Sequence, residues 1–207
     1  NVFVKQNAHS LNGASTAASN GGSQVGIELG TQEAGGQVQL VVNNFLGGEA
    51  DATSVLATAS TEEIQNYLAG LEAESLSSGS GINSEADTSL AFTGHSISSE
   101  DNATSRGAVN YVYGVDAESI TGNNVTFDAS ASTTLQQLAE TIAGDAQAIS
   151  ELGEQASLAI TTLLSSGDTN LISDALASWI GDSSSVDGTA ESRSQLTALL
   201  GLDSETI

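Results

Sequence analysis

The 207-residue chain has no cysteine, no proline and no methionine, and only three lysines and arginines stand against 26 aspartates and glutamates. Without cysteine there are no disulfides, no Cys-ligated zinc and no thiol catalysis. Without proline every residue after the first can donate a backbone hydrogen bond, and exposed edge strands lose one common guard against pairing with a neighbour. The net charge of −23 repels phosphate backbones and anionic lipid, which removes nucleic acid and membrane surfaces as partners. No apolar run reaches the roughly 18 residues of a membrane-crossing helix, so membrane insertion is not expected. A chain without methionine is not a complete translation product. The expectation is a cleaved export signal and an extracellular or cell-surface location.

Aromatic residues are also few, with one Trp, three Tyr and four Phe. Only two histidines occur, His9 and His95, and neither lies in a metal-binding H-E-x-x-H pattern. No serine sits in a G-x-S-x-G elbow, and no G-x-G-x-x-G or Walker loop is present. No catalytic residue is therefore assigned and no enzymatic activity is expected. A secreted hydrolase would have to rest on an acid pair or on His95.

Apolar patterning changes along the chain. Val25, Ile27 and Leu29, then Val38, Leu40 and Val42, alternate with polar residues as half-buried strands do. The runs "SLAFTGHSIS", "AVNYVYGVD" and "NNVTFDAS" continue this period of two. Near residues 50–70, "STEEIQNYLAG" offers Ser60 as a helix cap, Glu63 as its capping-box partner and Gly70 as a stop. After Ser130, Leu135, Leu138, Ile142, Ile149, Leu152, Ala156, Ala159 and Leu163 fall near a three–four spacing, which predicts helix. "TNLISDALASWIG" and "TAESRSQLTALLG" read the same way.

The expected fold class is α+β: an antiparallel, sandwich-like β-rich half with a short helical insertion, followed by a helical C-terminal half. The expected divisions are an N-terminal strand and linker over 1–23, a β-rich domain over 24–130 and a helical subdomain over 131–207. No repeat of fixed period is read from the chain.

Charge is unevenly spread. Asn1 to Ile27 contains no acid and holds Lys5, the only lysine. This predicts a donor strand: Val2, Phe3, Val4 and Lys5 would complete the open sheet of a neighbouring copy. Repeated head to tail, the contact would build an extracellular, pilus-like homopolymer or a surface layer. The ordinary alternative is a first strand within its own sheet.

The second functional reading is a surface adhesin module that binds calcium or cell-surface glycans. Acid–Ala–acid triplets place two carboxylates on one strand face, and the pairs Glu85 with Asp87 and Asp116 with Glu118 are candidate calcium ligands. No other cofactor is expected. Asn102 and Asn124 lie in N-x-[ST] sequons and are candidate glycosylation sites.

Overall fold

The computed structural model describes the backbone of residues 1–206 and the side-chain surroundings of residues 1–203. All of its regular structure is β. Ten strands follow one another: β1 (Val2–Ser10), β2 (Ser15–Ala34), β3 (Gln37–Ser54), β4 (Ala59–Ser78), β5 (Gly81–Ser98), β6 (Ala103–Gly122), β7 (Val125–Thr141), β8 (Ala146–Ser165), β9 (Thr169–Ser185) and β10 (Ala190–Thr206). Odd strands form one five-stranded sheet, β1-β3-β5-β7-β9, and even strands form the other, β10-β8-β6-β4-β2. Every pairing is parallel.

The chain therefore winds as a two-sided β-solenoid, crossing from one sheet to the other at each short turn. Lys5 lies beside Glu49 and Thr134 beside Ser178, each 44 residues apart, so one coil is about 44 residues. The turn after β6 is one residue tighter, and Ser130 lies 43 residues from its neighbour Asp87.

Two expectations are overturned here, the fold class and the absence of a repeat. Among the described residues the fold is not α+β and has no antiparallel sandwich; the segment near 50–70 and the described residues after 130 form strands and turns, not helices. Position 23/24 lies inside β2 and position 130/131 inside β7, both continuously paired. A 44-residue repeat is also present after all.

For the even strands the physical cause of the helical misreading is visible in the sheet pairing. The even sheet's pairing breaks three times per strand: at Gly22/Asn66, Gly26/Gly70 and Gly30/Glu74 between β2 and β4, and at the equivalent positions further along. Each break flips the in–out alternation. In β4 the inward residues are Ala59, Thr61, Glu63 and Gln65, then Leu68, Leu71, Ala73, Leu76 and Ser78. In β8, inward Leu152 is followed by Gln155, Leu158, Ile160 and Leu163. Steps of two interspersed with steps of three imitate helical spacing.

The donor-strand reading is overturned by the same architecture. Val2, Phe3, Val4 and Lys5 lie in β1, which pairs parallel with β3 of its own chain: Val2 with Leu46, Phe3 with Gly47, Val4 with Gly48, Lys5 with Glu49. The Lys5 ammonium reaches Glu49 at 2.7 Å. A pilus-like filament built by strand addition to an open antiparallel sheet has no counterpart in this closed, all-parallel coil.

The core between the sheets is graded. Beside the turns that leave the even strands it holds Leu71, Ile120, Phe127, Leu158 and Leu163. Midway it holds Leu46, Leu68, Leu90, Leu135 and Leu152. Beside the turns that leave the odd strands it is almost all alanine, including Ala17, Ala50, Ala52 and Ala59. Burial of each large side chain contributes about 1.5–3 kcal/mol, so most hydrophobic stabilisation lies in the first two zones.

A polar seam separates the leucines from the alanines. Thr61 Oγ1 donates to Ser105 Oγ at 2.9 Å, and Ser105 Oγ donates to Gln137 Oε1 at 2.6 Å. Glu63, 1% exposed, faces Gly48 of the opposite sheet; a β-carbon there would lie 2.2 Å from Glu63 Oε1. Burial, then the charges of Glu49 and Asp51, push the Glu63 carboxyl up to about 8.

Hydroxyls stitch the coils at the turns. Ser10, Ser54, Ser98, Thr141 and Ser185 end the five odd strands. Ser54 Oγ donates to Gly13 O, Ser98 Oγ to Ala57 O, Thr141 Oγ1 to Asp101 O and Ser185 Oγ to Gly144 O, each at 2.8 Å. Gly144 sits at φ +120°, where an L side chain is strained.

Candidate functional site

The site begins with the middle break of the even sheet. Gly26, Gly70, Gly114, Ser157 and Gly201 stack at this break. A β-carbon on Gly70 would lie 2.7 Å from Gly114 O, and one on Gly114 would lie 2.4 Å from Ser157 O. Side chains are thus excluded, and the sheet folds sharply enough for its backbone to approach the other sheet. At Ser157 the hydroxyl itself makes the link, donating to Gly201 O.

Because the alternation flips at this break, residues on both sides of it point outward into one concavity. Tyr67 and Ala69 face outward, since Leu68 between them is core; Glu72 faces outward, since Leu71 and Ala73 are core. Parallel register repeats this in every coil. The first column is Ser23, Tyr67, Tyr111, Glu154 and Ala198. The second is Val25, Ala69, Tyr113, Ala156 and Leu200, and the third, beyond the bend, is Glu28, Glu72, Asp116, Ala159 and Asp203. The columns run along the solenoid axis across all five even strands, and the concavity is open as a groove where β6, β8 and β10 line it.

All three tyrosines of the chain meet there. The Tyr67 and Tyr113 rings sit edge to face with centroids 5.7 Å apart, and Tyr111 and Tyr113 are 6.1 Å apart and tilted by 31°. Tyr113 is 8% exposed and forms the wall; Tyr111 is 46% exposed and offers its face to solvent. The Tyr67 hydroxyl donates to Asp116 Oδ2 at 2.8 Å and the Tyr113 hydroxyl to Glu154 Oε1 at 3.0 Å. Burial, then these carboxylate partners, raises both phenols well above their ordinary range. Burial raises Asp116 too; the Tyr67 hydrogen bond acts against it, and Glu154 and Glu118 add to it.

The third column carries an acid on every strand except β8, where Ala159 stands. This gap opens a depression of about 220 Å³ lined by Tyr113, Asp116, Glu154, Ala159, Thr161 and Asp203. It is smaller than the ~300–1,000 Å³ of pockets that enclose a whole ligand. Its size suits one unit of a longer molecule.

The other candidate residues are dispersed. Glu85 and Asp87 lie on the outer face of β5 in the odd sheet, where Asp87 Oδ1 accepts from Ser130 Oγ at 2.7 Å. Asp116 and Glu118 lie on β6 in the even sheet, so the two acid pairs do not meet. Among the described residues no group of three or more His, Asp or Glu side chains is arranged to hold a metal ion. Asn102 and Asn124 are exposed turn residues, and their side-chain oxygens accept the backbone N–H of Asp145 and Asp168. His95 lies on the odd sheet with Nδ1 4.0 Å from Asp51 and Nε2 3.9 Å from Glu140. Those carboxylates address different ring nitrogens, so His95 cannot join both in ligating one ion.

Searches against known protein families, curated proteins and solved structures returned no match for this chain.

Sequence reading missed Tyr67, Tyr111, Tyr113 and Glu154. The signal was the coil period: Tyr67 and Tyr111 are one coil apart, as are Glu72 and Asp116. A 44-residue comparison of the chain with itself stacks both pairs.

Proposed function

We propose that the protein is a non-catalytic glycan-binding solenoid that works outside the cell, with the tyrosine-walled groove of the even sheet as its binding surface. The observation that carries this reading is the convergence of all three tyrosines, with oriented carboxylates, in one outward bend. A sugar ring has an apolar C–H face and a rim of hydroxyls. Tyr111 supplies a flat, solvent-facing ring for the first, and Asp116 and Glu154 supply acceptors for the second. Both carboxylates are held by tyrosine hydroxyls, which favours fixed recognition over proton transfer. A chain without cysteine and with net charge −23 suits an extracellular setting.

The test is Tyr111→Ala, measured by titration calorimetry against oligosaccharides that bind the unmodified chain on a glycan array. Among the described residues Tyr111 has no hydrogen-bond partner for its hydroxyl, and it is half exposed, so the unfolding midpoint should stay put. Affinity should fall about tenfold, the loss of about 1.4 kcal/mol of stacking. An array without any binder, or a Tyr111→Ala variant of undiminished affinity, rejects the reading.

A further inference from the structure

We infer that the ligand is an extended β-1,4-linked polysaccharide that is not polyanionic, lying along the solenoid axis with one pyranose per strand. This rests on the glycan-binding reading and adds chain direction, linkage and charge class.

The direction follows from the columns. The small-residue floor runs through every even strand, the acid column through all but β8, and the tyrosines stand on the neighbouring strands β4 and β6, all at right angles to the strands. The groove is therefore continuous along the axis and bounded across it. Its repeat is the strand spacing, about 4.8 Å. That is close to the advance per sugar in an extended β-1,4-linked chain, whose rings are flat and nearly collinear. Coiled α-linked chains bend away from a straight groove. Tyr67 and Tyr111, on neighbouring strands of the first column, lie one such step apart. The depression at Ala159 interrupts the acid column where the next rings would sit.

The charge class follows from the rim. Glu28, Glu72, Asp116, Glu154 and Asp203 face the groove, whereas Lys5, Arg106 and Arg193 are each already paired with a glutamate. No cation is left in the groove to meet a uronate or a sulfate, so such polymers are repelled along its whole length.

The experiment uses the full chain and β-1,4-linked oligomers of glucose, mannose, xylose and N-acetylglucosamine, two to six units long, with oligogalacturonate as the anionic probe. In at least one series affinity should rise about threefold or more per added unit up to four or five units, then level off. Oligogalacturonate should not bind. Ala159→Trp, which fills the depression, should abolish the gain from longer oligomers while leaving the shorter ones unaffected. Binding that saturates at one or two units, or tight binding of oligogalacturonate, overturns this inference and leaves glycan binding standing. Length dependence unchanged in both Ala159→Trp and Tyr111→Ala moves the chain off the groove and overturns both readings. Absence of binding by every series, with an array that also shows none, does the same.

Discussion

The two sheets are wound from the same chain, share one core and differ most in the continuity of their pairing. In the odd sheet, β3 and β5 pair without interruption from Gln37/Gly81 to Ser54/Ser98. In the even sheet every pair of neighbours breaks three times. The unbroken sheet presents an alternating outer face on which charges spread out. The broken sheet brings residues from both sides of a bend into one concavity, and there the tyrosines and carboxylates gather. Three skipped positions per coil thus turn a repetitive scaffold into a shaped surface. If this account is right, the bend should be costly to disturb and the unbroken face should be tolerant.

The largest effect is expected at the bend itself. Gly114→Val would place side-chain atoms against Ser157 O, 2.4 Å from the new β-carbon, and Ser130 O, 2.8 Å away. Neither is the end of a flexible side chain, so the sheet must open. A loss of at least about 4 kcal/mol is expected in urea unfolding, at the severe end for one substitution. Ser89→Val, on the outer face of β5, is the matching change on the unbroken sheet and should stay within about 0.5 kcal/mol. Similar costs for the two would remove the distinction between the sheets.

Next in size is the seam where the even sheet places Glu63 against Gly48 of the odd sheet. The unfolded carboxyl titrates near 4.5 and the folded one near 8, so between these values the folded chain keeps a proton that the unfolded chain releases. The contribution of Glu63 to stability is full below about pH 4.5 and falls by about 1.4 kcal/mol per unit as pH rises toward 8. Glu63→Gln removes the titration. The variant should match the parent near pH 4.5 and exceed it by about 4 kcal/mol at pH 8. Parallel stability profiles across this window would show that Glu63 is not held protonated.

The same contrast explains part of what could be read from the sequence. The runs that pair without breaks, around Val38–Val42 and "SLAFTGHSIS", keep a strict period of two and were legible as strands. Of those that cross breaks, Val25 to Leu29 and "AVNYVYGVD" were also legible as strands but β4, β8 and β10 were not, and on the unbroken sheet β9 and the second half of β7 read as helix too. In β4, Leu68 and Leu71 are three apart because a skipped residue intervenes at Gly70, and in β8 Gln155, Leu158, Ile160 and Leu163 follow the same mixed rhythm. Alanine, glutamate and glutamine, all good helix formers, fill these strands and strengthen the illusion. Glu63 stood in a capping-box position and is instead a buried core residue. Strand direction was not legible at all, since Gly35–Gly36 suits a hairpin as well as a crossover between sheets. The groove was hidden because its members are brought together only by the coil period, and no local motif announces them.

The turns give a smaller contrast. Every odd strand ends in a hydroxyl residue, but the even strands end in Ala34, Ser78, Gly122 and Ser165 before their turns. Ser98 Oγ accepts the Asp101 N–H at 3.1 Å as well as donating to Ala57 O. Ser98→Ala leaves both groups without their partner and should cost about 1–2 kcal/mol. Gly122→Ala, at an even-strand end with no such hydroxyl, loses no hydrogen bond. Its new β-carbon meets Val125 Cγ2 at 3.1 Å, so its cost is steric and should be insensitive to added polar cosolvent.

The smallest effect compares the ion pairs of the two sheets. On the even sheet Arg106 bridges three strands, reaching Glu62 on β4 at 2.7 Å and Glu151 on β8 through Nη2 at 2.7 Å and Nε at 3.2 Å. On the odd sheet Lys5 makes one contact, to Glu49, from the edge strand β1. The guanidinium fork holds two carboxylates at fixed angles, while the ammonium on its flexible stem holds one. All of these groups are at least a third exposed, so solvent screens them strongly. Arg106→Gln should cost less than about 1 kcal/mol at low ionic strength, and the difference should vanish near 1 M salt, where the screening length is about 3 Å. Lys5→Gln should leave the unfolding midpoint unchanged. A Lys5 effect equal to that of Arg106 would mean that net charge, not the bridging geometry of the even sheet, governs both.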